Sequence, residues 1–590
     1  MVMKTYLKSL FRSFKKNISR FISITMIVLI GSIFISGFGT LTHTIEASLS
    51  EEFIAYHGAD ILFKSKNPNG FSIEEIEEIC LDADIKGIKK VTCIDIGDSR
   101  FIISNMSDNT YNTFELVEGK MINDKNQILS DRLLPEMNEM IRFYNMDFEV
   151  VGTIKNPLIY SKSKEWNNNA EEIKHYYYLD SNYFDMASIL PITDLYISMN
   201  FNSEYSIFSN TYREKVDCLQ DKLEEKYDAI AFTYNESVSY QLVINYSDKI
   251  NVLCIIFPIF FLLVSCLVVL STMTRLIEEE RGQMGCYLSL GFSKKMVLSH
   301  YLLFSFSCCF IGSFMGLFIG VWGIPPLLYN VFNTIYFLPP ISESRNMLLG
   351  IIGIIVTILL VLLVSSYVVL KELKDKPCEL LKIKTPKAGK KIWIEKINVI
   401  WSKLKFKYKS TLRNVFRYKK NLMMTVISVS GSTALVLAGC GLYHIAISDS
   451  SNIPESMEMS FATISSIIIL FAGILCMLVI YNLTNMNIGE REREISSLKV
   501  LGYQDIEVSM YIYREIFIMT LFGVILGLPF GYGLLCFLIE FIGFGSHKDI
   551  TLSCYILTIL LVFLFVIIVD IVMHKKIKKI DMNKALKTNE

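Results

Sequence analysis

The chain has 590 residues, 52% of them hydrophobic, and 58 Lys and Arg balance 58 Asp and Glu. That apolar share is too high for a soluble enzyme and fits a membrane protein with a sizeable polar part. A net charge of zero says nothing about partners, so the information lies in how charge is distributed along the chain.

Residues 1–20 carry six basic residues and no acid, and Met3, Tyr6, Leu7, Leu10, Phe11 and Phe14 fall at helical spacing opposite Lys4, Lys8, Arg12 and Lys15. That pattern reads as a basic amphipathic helix at the membrane interface, or as a plain basic flank. Eight segments are apolar enough to span a bilayer, which needs about 20 residues. They lie near 19–41, 250–273, 298–324, 347–370, 422–446, 461–483, 515–541 and 551–573. The first is longer than a signal-peptide core and lacks a small-residue cleavage site, so it is taken as an anchor. Between the first two spans lies a polar region, 46–248. It holds Cys80, Cys93 and Cys218, an odd number that implies no disulfide framework. The thirteen cysteines read as small buried hydrophobes.

Stretch 371–420 carries seventeen basic residues against four acidic ones, and Lys575, Lys576, Lys578, Lys579, Lys584 and Lys587 crowd the tail. Loops 329–346 and 542–550 hold one basic residue each, and 448–460 holds none. The positive-inside rule then places both termini in the cytoplasm and 46–248 outside the cell membrane.

The chain repeats itself. "SLGF" ends on one side at Gly291 and "VLGY" matches it at Gly502, 211 residues later. Gly312, Gly316 and Gly320 recur at the same offset as Gly523, Gly527 and Gly531. "LKSLFRSFKKN" (7–17) resembles "LRNVFRYKKN" (412–421) with one residue deleted, and "KPCELLK" (376–382) resembles "DMNKALK" (581–587). The expected organisation is an interfacial helix and first span (1–45), the outside domain (46–248), spans two to four (249–385), a linker (386–404) and a second four-span unit (405–590). The fold class is thus an α-helical membrane protein of eight spans in two parallel four-helix repeats, with one mixed α/β extracellular domain. Glycines four apart make a flat stripe that lets another helix backbone come close, which is the role expected of both ladders.

"EREREISSLKVLGYQDIE" (490–507) opens with five adjacent charges between two spans. At roughly 2.5–3.5 kcal/mol per charge at mid-membrane, it must lie in water. Glu490 and Glu494 share a helix face, Leu498 and Leu501 continue an apolar stripe, and Gly502 is a natural stop. A short helix fixed to two spans suits docking into another protein.

The pattern E-R-x-x-E-I-x-x-x-x-x-L-G, met by Glu490, Arg491, Glu494, Ile495, Leu501 and Gly502, resembles the signature of the FtsX-like, MacB-type (type VII) ABC transporter permeases. The first copy, "EEERGQMGCYLSLGF", keeps Glu279, Leu290 and Gly291. It has Glu280 where the pattern has Arg, Arg281 next to it, and Gln283 for the second Glu. The resemblance implies that Glu279, Glu280, Arg281, Gln283, Gly291, Glu490, Arg491, Glu494 and Gly502 form two ATPase-coupling helices, the second dominant. "FELVEGKMINDKNQILSDRLL" and "IRFYNMDFEVVGTIKNP" resemble the strand-rich start of the family's extracellular domain, with Gly119 and Gly152 at turn positions. "YREKVDCLQDKLEEKY" (212–227) reads as an amphipathic helix, and the tyrosine-rich "HYYYLDSNYF" (175–184) as buried or at a rim.

No G-x-x-x-x-G-K-[ST], H-E-x-x-H, G-x-S-x-G or clustered His/Cys set occurs. No catalytic residue, metal site or cofactor is therefore expected in this chain. The resemblance implies ATP and magnesium in a separate cytoplasmic ABC ATPase, two copies per chain. It also implies lipid contact, no nucleic acid, and an outside partner that is a peptide or a cell-wall protein. Two functions stay open. One is an exporter of peptides, antimicrobials or lipid-linked cargo, driven by mechanotransmission; the other is a non-transporting regulator acting on a wall hydrolase or peptide signal.

Overall fold

The structure, a computed structural model, describes residues 12–107, 111–131, 139–144, 146–156, 165–166, 172–184, 187, 189–200, 207–236, 238–381, 395, 406–417, 419–448, 455–542 and 550–580. The amphipathic segment before Arg12, the linker 386–404 apart from Glu395, the tail beyond 580 and the side chain of Glu490 lie outside the described residues.

In chain order, helix α1 (Ile18–Ala55) leads to β1 (Ile61–Ser65), α2 (Ile73–Cys80), β2 (Ile85–Ile96), β3 (Ser99–Ser104), β4 (Glu115–Gly119), β5 (Gln127–Asp131), β6 (Met140–Phe143) and β7 (Met146–Lys155). The short pair β8 (Glu165–Trp166) and β9 (Glu172–Ile173) precedes β10 (His175–Asp180), β11 (Asp194–Met199), α3 (Asn210–Lys226) and β12 (Ala229–Thr233). The first half closes with α4 (Val238–Glu279), α5 (Arg281–Ser289), α6 (Lys294–Ile335), α7 (Leu348–Glu372) and α8 (Pro377–Leu381). The second half contains α9 (Phe406–Arg417), α10 (Lys419–Ile447), α11 (Glu455–Glu490), α12 (Glu492–Val500), α13 (Asp505–Ile542) and α14 (Leu552–Lys578).

Eight of these helices are long and apolar enough to cross a membrane. The 38 residues of α1 would extend about 57 Å, nearly twice a hydrocarbon core of about 30 Å. The chain divides into two compact units. A helical unit comprises Met1–Leu41, Ile250–Leu328 and Asn346–Glu590; a second unit comprises Thr42–Lys249 and Tyr329–Arg345. The loop 329–345 thus packs with the second unit, a partner that linear position does not reveal.

The helical unit is built twice in detail. A Cβ added at Gly316 of α6 would lie 2.8 Å from the Leu29 carbonyl oxygen and 2.6 Å from Ser32 Cβ of α1. At Gly527 of α13 it would lie 2.8 Å from the Ser430 carbonyl oxygen and 2.8 Å from Thr433 Cβ of α10. Gly312 and Gly523 face Thr25 and Val426, and Gly320 and Gly531 face Ile33 and Ala434, in the same manner. Third spans correspond at an offset of 211, whereas their partners on the first spans correspond at 401 throughout. This corrects the sequence alignment of 7–17 with 412–421, which runs at 404–405. The slip is about one helical turn, which leaves the same side chains on the same face, so periodicity alone does not detect it.

Polar groups join the halves at one end of the spans. Arg275 of α4, 1% exposed, donates to Asn487 Oδ1 of α11 at 2.9 Å and Thr425 Oγ1 of α10 at 3.3 Å. Asn482 donates to Thr272 Oγ1 at 2.7 Å, and Asn485 to Ser19 Oγ at 3.0 Å. Deeper, Phe34 of α1 stacks on Phe261 of α4 with ring centroids 4.4 Å apart.

The second unit is organised around a ten-stranded mixed sheet in the order β12-β1-β11-β2-β3-β10-β5-β7-β4, with β6 added on β7. Pairs β3/β10 and β5/β7 are parallel and the others antiparallel. Apolar residues of the central strands fill a core on each face, Ile102, Leu129 and Tyr178 on one and Phe101, Ile128 and Tyr177 on the other. That two-sided burial explains the continuous apolar runs in β3 and β10. The tyrosines of 175–184 are accordingly mostly interior: Tyr176, Tyr177 and Tyr178 are all buried. Gly119 is the last residue of β4, where its φ of +90° suits glycine, and is not at a turn. Nor is Gly152: it lies inside β7 opposite Gly119, where a Cβ would come within 2.7 Å of the Lys120 carbonyl oxygen. Close backbone approach, not turning, requires that glycine. Asp60 is fully buried, accepts from Tyr212 Oη at 2.5 Å and Met199 N–H at 2.6 Å, and is pushed up to about 6 by burial.

The glycine contacts generate a paired test. Gly527→Leu forces α13 away from α10, an overpacking cost of about 1–3 kcal/mol. At Gly533 on the same helix an added Cβ meets nothing within 4 Å, and Gly533→Ala gains helix propensity. Thermal unfolding in detergent is expected to show a lowered midpoint for the first variant and an unchanged or raised one for the second.

Candidate coupling site

Both charged stretches fold into the same corner. Helix α4 ends at Glu279 and α11 at Glu490; α5 and α12 follow, then α6 from Lys294 and α13 from Asp505. Every one of these boundaries corresponds at an offset of 211. The break falls at Glu280 (φ −91°, ψ 10°) and Arg491 (φ −111°, ψ 14°). Each short helix then stops on a left-handed glycine, Gly291 at φ +88° and Gly502 at φ +91°. The Gly291 and Gly502 N–H groups donate to the Leu288 and Lys499 carbonyls at 3.1 and 3.0 Å, and Phe292 and Tyr503 N–H to Tyr287 and Leu498 at 3.0 and 3.1 Å. This two-bond closure satisfies the last carbonyls and needs a residue that tolerates positive φ.

What holds the break differs in sign. Arg491 turns inward and forms a two-pronged pair with Glu515 of α13, at 2.5 and 2.8 Å, with side chains 10% and 9% exposed. The corresponding residue, Glu280, also turns inward, 2% exposed, and accepts from Asn17 Nδ2 at 2.8 Å with Lys16 at 3.8 Å. The replacement of Arg by Glu in the first copy is therefore a change of internal partner: the charge is reversed and a residue before α1 satisfies it. Buried charges persist only when paired and hydrogen-bonded, and both are.

A second tie joins each short helix to the last span of its half. Arg281 pairs with Glu372 at 3.4 Å and with Asp375 beyond α7. Lys499 donates to the Ile577 carbonyl of α14 at 2.8 Å and pairs with Asp505 at 2.9 Å. In the first half, Leu380 and Leu381 of α8 also lie over Gly285.

Of the residues named from sequence, Glu280, Arg281 and Arg491 are thus turned into the protein, while Glu279, Gln283, Glu494, Gly291 and Gly502 are exposed. Glu279 meets Arg20 at 2.5 Å. The outward faces match position by position: Gln283 with Glu494, Cys286 with Ser497, Ser289 with Val500, and Leu290 with Leu501. Leu290 and Leu501 are 75% and 74% exposed, an apolar tip on each corner. Sequence reading placed Leu501 with Leu498 on an apolar stripe, and the structure leaves Leu501 exposed. The recurrence of "LG" in both copies was the available sign that this leucine has a role of its own. Asn17, Glu372, Asp375, Lys499 and Glu515 carried no sign, because each acts through a contact remote in sequence. Among the described residues no group of three or more His, Cys, Asp or Glu could hold a metal.

Breaking one partner of a buried pair leaves the other charge uncompensated, at about 3–5 kcal/mol. Glu515→Gln and Arg491→Gln are each expected to lower the unfolding midpoint sharply. The double variant should be less destabilised than the sum of the two, and equal, additive small effects would contradict a buried corner pair.

The sequence profile of the FtsX-like permease C-terminal domain matches the chain at residues 255–373 and again at 466–580. The matches begin 211 residues apart, the offset that relates the two corners, and each contains one corner whole. No curated protein matches the chain. Permeases of this kind are membrane components that work with cytoplasmic ABC ATPases and are not themselves the ATPase. Two stretches of the chain, each folded round the same corner, are thus similar to the FtsX-like permease C-terminal domain, and with eight helices long and apolar enough to cross a membrane the chain is a multi-pass membrane protein.

Proposed function

We propose that this chain is the permease subunit of an ABC-type machine, carrying in one chain the two repeats that two single-repeat chains would bring together. The carrying observation is the pair of outward faces, matched residue by residue on two short helices that are each held by a buried charge. Two such faces suit two copies of a cytoplasmic ATPase. Leu290 and Leu501 would enter apolar pockets of that partner, with Gln283 and Glu494 beside them. A helix fixed by charge pairs to its neighbouring spans moves as one body with them, which is what conversion of ATPase closure into span movement requires. Helices α1, α4 and α6 each begin in one compact unit and end in the other. The work would therefore be delivered to the second unit, lying outside the plasma membrane, where a peptide, antimicrobial or lipid-linked cargo is met. The distribution of Lys and Arg supports that orientation, with both termini cytoplasmic.

In a reconstituted complex, Leu290→Asp with Leu501→Asp is expected to release the ATPase. Glu494→Lys should leave it bound but lower cargo-stimulated turnover more than Gln283→Lys does. The chain without its partner should hydrolyse no ATP; turnover by the chain alone, or equal defects from the two corners, would defeat the reading in its stated form.

Orientation is tested separately. In a background without reactive native cysteines, Glu74→Cys on α2 should label in whole cells with an impermeant thiol reagent, and Lys374→Cys after α7 should not. Both positions are exposed in the structure, so the reverse pattern would invert the topology.

A further inference from the structure

Strand β2 has twelve residues and its hairpin partner β3 only six. The connection between them is two residues, Gly97 and Asp98, so Ile96 and Ser99 face each other across the turn. In a two-residue hairpin that flanking pair exchanges both backbone hydrogen bonds, and the pattern then alternates along the strands. Ile96, Ile94 and Thr92 therefore bond to β3, and the odd-numbered residues point the other way, toward β11. The Cys93 N–H donating to Thr193 Oγ1 at 2.9 Å, on the β11 side, agrees.

Strand β3 stops at Ser104, opposite Val91. Beyond it the chain turns toward the end of β10, where Asn182 Nδ2 donates to Asn105 Oδ1 at 2.9 Å. Strand β2 continues along β11 for six further residues, to Ile85. Over that stretch Lys90 and Ile88 present N–H and C=O groups to a side that holds no strand among the described residues. The opening is short, because the Lys86 carbonyl accepts from Tyr111 Oη at 3.0 Å. Beside it lies a cleft of about 320 Å³, with Ile88, Lys90, Ile103, Asn105, Ser181 and Ile192 among its lining.

We infer that this cleft binds an extended peptide as an added strand on the β2 edge. An open row of backbone donors and acceptors is a template for strand addition, in which the main chain supplies affinity and alternate side chains supply selectivity. Two residues apart on one face of β2, Ile88 is half-buried and Lys90 exposed. Directly opposed cross-strand residues interact, so the ligand places an apolar side chain against Ile88 and an acidic one against Lys90. The recognised unit is an extended stretch with an apolar and an acidic residue two apart, apolar first if the strand adds parallel to β2 and acidic first if it adds antiparallel, bounded at one end by Tyr111. This deepens the reading of the second unit as the place where cargo is met and rests on it for its biological role, though the site itself does not depend on it.

The test uses the full chain in detergent and two fluorescein-labelled peptides, acetyl-Thr-Val-Thr-Glu-Thr-amide for parallel addition and acetyl-Thr-Glu-Thr-Val-Thr-amide for antiparallel addition, read by anisotropy, and binding by at least one of them is required. Saturable binding is expected. Lys90→Glu should weaken it at least about fivefold and restore binding to the counterpart peptide with Lys in place of Glu. N-methylation of alternate peptide amides, which leaves the protein untouched, should abolish binding in one of the two registers. Failure of both peptides to bind, or binding indifferent to both Lys90→Glu and N-methylation, overturns the site. Binding that passes these checks yet leaves ATP turnover of the reconstituted complex unchanged keeps the site and removes its cargo role.

Discussion

Each corner of the helical unit depends on one charged side chain that faces inward. At Arg491 and Glu280 the backbone leaves the α-helix, and the side chain at the break is withdrawn from water. A charge in that position is tolerated only with a close, oriented counter-group. Glu515 supplies it in the second half and Asn17 in the first. Because those partners sit on or beside the spans, the break cannot move without moving a span. The direction in which α5 and α12 leave the bundle, and hence the residues they show to solvent, follows from this pairing.

The reversal of charge between the copies shows what the duplicated corner requires. A particular sign is not needed, since Glu does in one half what Arg does in the other. A satisfied buried charge is needed, and the partner is drawn from whichever neighbour lies in reach: a helix after the corner in one case, the segment before α1 in the other. The second tie, to the last span of each half, likewise uses Arg281 in the first turn of α5 but Lys499 in the last turn of α12. The outward faces keep the same positions and the same exposed leucine, Leu290 and Leu501, while the residues beside it differ in type.

Membrane chemistry explains the remainder of the helical unit. Without a hydrophobic force between helices in lipid, close packing and hydrogen bonds must hold spans together. The glycine stripes bring α6 onto α1 and α13 onto α10, in one register for both halves. The asparagines and threonines around Arg275 join α4 to the second half near the corner end of the spans. In the second unit water is the solvent, and a two-sided sheet core replaces these devices.

Eight spans, the repeat at 211, the corner positions and their glycine stops were legible in the sequence, because each is written in a short window of hydropathy or spacing. Such windows record what a segment prefers by itself. They do not record which charge finds a partner, since Asn17 and Glu280 are 263 residues apart. Only the tertiary structure turned Glu280, Arg281 and Arg491 inward and left Gln283, Glu494 and the two leucines outside. It also set the first spans one turn away from their best textual match, a slip that helical periodicity cannot register. In the second unit the sequence showed strands but not their neighbours. Gly152 was placed at a turn by the resemblance to the family's extracellular domain, and only the approach of the β4 edge reveals that it clears space inside a strand. The edge at Ile88 and Lys90, unpaired among the described residues, has no local sign at all: β3 stops opposite Val91 while β2 stays on β11 to Ile85, and pairing between strands is decided by the whole sheet.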